Sequence, residues 1–164
     1  MRQVRRAAVC MVAALAIGQA QAATSIPTTF QAKLVINAQC LINNANNLDF
    51  GTNGLLLATI DLTTTLSVIC TNLLPYNIGL DGGTNGGGVS ARKMKGGPAN
   101  ELIDYSLSVN SARTTNWGNT IGTDTVSATG SGAAQTYIVY GRVPAQTTPR
   151  PGSYTDIVTL TVTY

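Results

Sequence analysis

The sequence predicts an all-β sandwich or barrel whose last alternating run reaches the final residue. Three observations carry this. Thr, Val, Ile and Leu recur in alternating runs set apart by Gly, Asn, Asp and Pro, and no segment sustains a 3.6-residue apolar period with caps. The last run, residues 154–164, places Val158, Leu160, Val162 and Tyr164 on one parity and Thr159, Thr161 and Thr163 on the other, the signature of a strand with one buried face. No turn, closing strand or polar tail follows Tyr164, so a neighbouring strand position is expected to stand open for another chain.

In chain order, residues 1–22 come first. Arg2, Arg5 and Arg6 precede the apolar stretch 7–18, and Ala20-Gln21-Ala22 is a small-x-small cleavage site, so these residues read as a secretory signal peptide cut before Ala23. The apolar run is shorter than the roughly 20 residues a membrane span needs. Export without a transmembrane segment is the expectation.

Losing three of the ten Lys and Arg residues leaves seven cations against seven acids. A chain of zero formal charge has no cationic surplus for nucleic acid or anionic membrane, and with 10% charged residues it tends to self-associate. Cys10 leaves with the signal, and Cys40 and Cys70 remain. An exported pair with no third thiol reads as one disulfide, the alternative being two free buried thiols. The mature chain of about 140 residues has the size of one domain.

Strands are expected over residues 30–42, 58–70, 76–80, 102–109, 135–141 and 154–164, with a short one near residues 92–95. In the first two runs Cys40 and Cys70 share parity with Leu34, Ile36, Leu62, Leu66 and Val68, which places both thiols on core faces. Adding Ile26 and Thr28 extends the first alternation back to residue 26, a reach of roughly 55 Å against the 17 to 20 Å usual for a strand. Ile26, Thr28, Phe30 and Ala32 therefore read as a detachable strand projecting from its own domain; the alternatives are a disordered tail or an ordinary edge strand.

Catalytic chemistry is missing from the mature chain. It has no His, its acids are scattered singly, and nucleophile systems built on Ser-His or Cys-His are excluded, as is a zinc site. No cofactor is expected. Glu101 and Asp104 stand at the start of a strand, where solvated charge is the simpler reading than a glycosidase pair. The Gly-rich run 81–88 lacks the Gly-Lys-Ser/Thr ending of a phosphate cradle. Arg92, Lys93 and Lys95 read as a solvated face without stacking aromatics. Trp117 reads as a ring covering one end of the core.

Five motifs in order resemble one known family. Leu48-Asp49-Phe50-Gly51-Thr52, Tyr105-Ser106-Leu107, Asn116-Trp117-Gly118, Val139-Tyr140-Gly141-Arg142-Val143-Pro144 and Pro151-Gly152-Ser153-Tyr154-Thr155-Asp156, together with the cysteine pair, are similar to the spore coat protein U domain, whose members include subunits of archaic chaperone/usher pili. The resemblance implies an incomplete immunoglobulin-like β-sandwich over residues 33–164 that lacks its final strand, preceded by an N-terminal donor-strand extension over residues 23–32.

It also implies a non-enzymatic pilus subunit carried through the periplasm by a chaperone, assembled at an outer-membrane usher beside neighbouring subunits, and displayed as an extracellular fibre for surface attachment and biofilm formation. Ile26, Thr28, Phe30, Ala32 and Leu34 would form the donor, with Pro27 marking its outer limit because Pro gives no ladder hydrogen bond. Val158, Leu160, Val162 and Tyr164 would border the acceptor groove and meet the chaperone. The alternatives are an exported spore or cell-surface coat protein of the same family and a self-complete secreted binding module.

Overall fold

The computed structural model describes residues 21–164, so the signal peptide expected over residues 1–22 lies outside the described residues but for its last two positions. The chain divides into a part ending at Val35 and a part from Ile36 to Tyr164. In the first part, residues 21–35 form no strand and every one is exposed, Ile26 at 90% and Phe30 at 92%. The strand expected over residues 30–42 is thus corrected, since regular pairing starts only at Cys40. Alternation gives a segment two faces, but its backbone becomes a strand only where a partner supplies ladder hydrogen bonds.

The second part is all-β, with nine strands and no helix among the described residues. They are β1 (Cys40–Ala45), β2 (Ile60–Cys70), β3 (Pro75–Leu80), β4 (Arg92–Gly96), β5 (Glu101–Ser108), β6 (Val126–Thr129), β7 (Ala134–Val143), β8 (Tyr154–Thr155) and β9 (Leu160–Thr163). One sheet has the order β1-β2-β7-β5-β4-β8 and the other β6-β3-β9. Every pairing is antiparallel.

Period-2 burial explains why these segments pair as they do. Leu66, Val68 and Cys70 of β2, with Ile103, Tyr105 and Leu107 of β5, turn their side chains into one core with Tyr76, Ile78 and Leu80 of β3. Each large apolar side chain so buried stabilises the fold by about 1.5 to 3 kcal/mol. Leu62 shares the parity of Leu66 but lies beyond the core's edge, 38% exposed. Cys40 and Cys70 stand directly opposite each other on β1 and β2 and form a disulfide. Closing a loop of this length, 30 residues apart, stabilises the fold by about 3 to 4 kcal/mol in the chain-entropy model.

Three further expectations are corrected. Residues 154–164 are two strands in different sheets, β8 on β4 and β9 on β3, separated by a crossover at residues 156–159. The Asp81 carboxylate interrupts the run by accepting from Thr159 N, because a backbone group held by a carboxylate cannot also serve a ladder. Val126–Thr129, inside a stretch rich in turn formers, is a strand because β3 offers it an edge.

Arg92 is the third correction. It is 1% exposed, and its guanidinium is fully used. Nε donates to the Asp81 carbonyl at 2.8 Å, Nη1 to the Val89 carbonyl at 2.9 Å and to Asn116 Oδ1 at 3.4 Å, and Nη2 to the Leu80 and Trp117 carbonyls at 2.9 and 2.7 Å. Burial lowers its pKa from the ordinary arginine value, an effect opposed by Tyr105, Asp81, Asp124 and Asp156 around it. Trp117 does cover the core, 1% exposed, with Nε1 donating to the Ile78 carbonyl at 2.9 Å.

Replacing Arg92 by Met leaves those carbonyls buried without a donor. We expect a loss of about 3 kcal/mol or more in urea unfolding, whereas Lys95→Met on the same strand changes stability by less than about 0.5 kcal/mol.

Candidate functional site

Between the two sheets lies an open cleft of about 1370 Å³. Its floor is the inner face of the large sheet, including Ile103, Tyr105, Leu107 and Val139, and Leu80, Val158 and Leu160 form the wall toward the small sheet. The opposite wall comes from residues 45–56, where Leu48 and Phe50 pack against the core without forming a strand. Phe50 meets the ring of Tyr105 edge-on, centroids 6.5 Å apart. Gly141 makes this possible, since a Cβ there would collide with Leu48 Cδ2.

The β9 edge along the cleft has a defined hydrogen-bonding pattern. Asp81 N donates to the Thr159 carbonyl at 3.1 Å, so in the antiparallel alternation Thr159, Thr161 and Thr163 spend their backbone groups on β3. The opposing residues agree: Leu80 N donates to Gly118 O at 2.9 Å and Ile78 O accepts from Trp117, both away from β9. The N–H and C=O of Leu160 and Val162 therefore face the other edge of β9, which is hydrogen-bonded to no strand among the described residues. Their side chains pack against the core. A strand laid there would find backbone partners on one side and an apolar trough beneath alternate side chains.

Polar side chains at the head of the cleft tie the 156–159 crossover to the turn after β3 and to Tyr105. Asp156 Oδ1 accepts from Thr84 N and Oγ1, both at 2.9 Å, and from Asn85 Nδ2 at 3.0 Å, while Oδ2 accepts from the Tyr105 hydroxyl at 2.7 Å. Burial, and next the adjoining carboxylate, push the Tyr105 phenol far above its usual range, so it remains a donor. Asp81 Oδ1 accepts from Thr159 N at 2.8 Å and Gly83 N at 2.9 Å. Burial works to raise the Asp81 carboxyl, but the hydrogen bonds from Thr159 and Gly83 and the charge of Arg92 outweigh it and hold the group below the usual carboxylate range.

The sequence-predicted residues fall in three places. Val158 and Leu160 line the cleft, Val162 packs against the core opposite Ile78, and Tyr164 is 58% exposed just beyond β9. Cys40 and Cys70 are joined away from the cleft lining. Ile26, Thr28, Phe30, Ala32 and Leu34 lie in the separate, exposed N-terminal part. Leu48, Phe50 and Tyr105 line the cleft without having been singled out as site residues, although each sits in a motif that carried the family resemblance. Glu101 pairs with Arg150 and Asp104 with Lys93, and no cluster of metal-ligating side chains occurs among the described residues.

Two predictions follow from these walls. Gly141→Ala displaces Leu48 and lowers unfolding stability by about 1 to 3 kcal/mol; in that background Leu48→Ala costs less than in the wild-type chain, a coupling read from a double-mutant cycle. The depressed Asp81 carboxyl contributes stability that is present above its unfolded value of about 3.9 and lost as pH falls through the lower folded value. Urea midpoints therefore drop below about pH 4, and Asp81→Asn flattens that drop.

Comparison with known proteins gives the fold a family. No curated protein sequence matches the chain. Among solved structures, the chain is similar to the CsuC–CsuE chaperone–tip adhesion subunit pre-assembly complex from the archaic chaperone–usher Csu pili of Acinetobacter baumannii, with a TM-score of 0.58 and 24% identity over 79% of this chain and 40% of that one. At that identity the likeness is one of fold. The Spore Coat Protein U domain model matches residues 26–161, nearly the whole described chain, and the protein belongs to the Spore Coat Protein U domain family.

Proposed function

We propose that this chain is a structural, non-enzymatic subunit of an extracellular fibre built by strand donation through a chaperone/usher pathway. The observation that carries the reading is the outer edge of β9, where the backbone of Leu160 and Val162 is paired with no strand among the described residues and Leu160 borders the cleft. Such an edge invites uncontrolled pairing unless a dedicated strand covers it. Family membership and the likeness to a pilus chaperone–subunit complex support the same reading.

The donor is the N-terminal extension, with Ile26, Phe30, Ala32 and Leu34 presenting alternate apolar side chains and Thr28 within the same alternation. All are exposed, Leu34 at 83%. Burying Ile26, Phe30 and Leu34 in another subunit contributes about 1.5 to 3 kcal/mol each. A donor-to-cleft contact is heterologous, so repetition yields an open fibre. In transit a periplasmic chaperone lends the missing strand, an outer-membrane usher exchanges it for the next subunit's extension, and the finished fibre serves attachment and biofilm formation at the cell surface.

Deleting residues 23–32 tests the assignment in cells that carry the matching chaperone and usher. The truncated subunit should still co-purify with the chaperone and form no filaments under electron microscopy. Normal filaments from it would exclude the extension as donor, and an amorphous surface layer from the intact chain would favour a coat protein instead.

A further inference from the structure

We propose that Asp156 is a positioning residue that keeps the β9 edge ready to receive a strand while the cleft is empty. This rests on the strand-accepting reading above and adds to it a device that no strand-pairing argument requires. β9 has four residues and one strand neighbour, which is little to order an edge against solvent. Its approach is held elsewhere. Asp156, at the start of the crossover, gathers four donors from Thr84, Asn85 and Tyr105, and Thr159, at its end, exchanges hydrogen bonds with Asp81 through both backbone and carboxylate.

The partners of the crossover are themselves fixed. Tyr105 is 7% exposed in the cleft floor, and the Asp81 and Leu80 carbonyls are bound by the buried Arg92. Gly83 sits at φ +73°, where a Cβ would strike the Asp156 carboxylate, so the 81–85 turn closes tightly on it. Asn85 Nδ2 also donates to the Thr155 carbonyl at 3.1 Å. The clasp thus ties the crossover to the turn after β3, the strand against which β9 must align. It works without an occupant. When a donor strand adds its own ladder to β9, the clasp becomes partly redundant, and its removal should matter less.

The test compares empty and filled forms of the whole mature chain. The filled form carries a second copy of residues 23–35 joined after Tyr164 by a Gly/Ser linker. Melting temperature and hydrogen exchange at the Leu160 and Val162 amides are measured for the wild-type chain, Asp156→Ala and the milder Asn85→Ala, which leaves the Tyr105 contact intact and serves if Asp156→Ala does not fold. In the empty form we expect Asp156→Ala to lose about 8 °C and exchange about tenfold faster at both amides, against about 2 °C and less than about twofold in the filled form. Asn85→Ala should show the same asymmetry at a smaller scale. Equal losses in both forms would overturn the clasp while leaving strand acceptance standing. If filling the wild-type chain raises neither its melting temperature nor the protection of those amides, strand acceptance itself fails and the clasp proposal with it.

Discussion

The small sheet has three strands and the large one six. At about 4.8 Å between neighbouring strands, the first spans about 10 Å between its outer axes and the second about 24 Å, so one cannot cover the other. The inner face of the large sheet is apolar across β2, β7 and β5, and the uncovered part must either be closed by loops or stay open. Residues 45–56 close some of it with Leu48, Phe50 and Leu56, and the remainder is the cleft. The unpaired β9 edge and the cleft beside it thus have one origin.

Stability at the head of the cleft depends on polar groups. Arg92 carries no carboxylate in its hydrogen-bonding shell; four backbone carbonyls and one side-chain amide satisfy it. A buried guanidinium used this way fixes chain segments that no ladder joins, the end of β3, the Gly-rich loop and the turn carrying Trp117. Asp81 and Asp156 continue the arrangement toward β9. Exposed ion pairs such as Lys93 with Asp104 and Asp61 with Arg142 add little by comparison.

Much of this was legible in sequence, for physical reasons that differ by element. β2, β3, β5 and β7 announce themselves because a strand with one buried face must alternate, and the shared parity of Cys40 and Cys70 already puts both thiols inward. Trp117 stood out because an indole in a polar loop has few other uses than covering a core. Arg92 reads as solvated in sequence because it neighbours Lys93 and Lys95, and nothing local distinguishes a cation that will meet four carbonyls from one that will meet water. Val126–Thr129 falls outside the strands that alternation predicts since its neighbours favour turns, and an available edge overrides that preference.

The chain by itself determined the β class, the positions of the main strands, the inward parity of the cysteines and the apolar alternation from Ile26 to Leu34. Each follows from side-chain chemistry at a period of two, which needs no knowledge of partners. Only the tertiary structure decided that residues 154–164 split between two sheets, that the backbone of Leu160 and Val162 points to an open edge, and that Leu48, Phe50 and Tyr105 wall the cleft beside it. Those depend on which strand lies next to which and on hydrogen bonds between residues as far apart as Asp81 and Thr159, relations that no local pattern encodes.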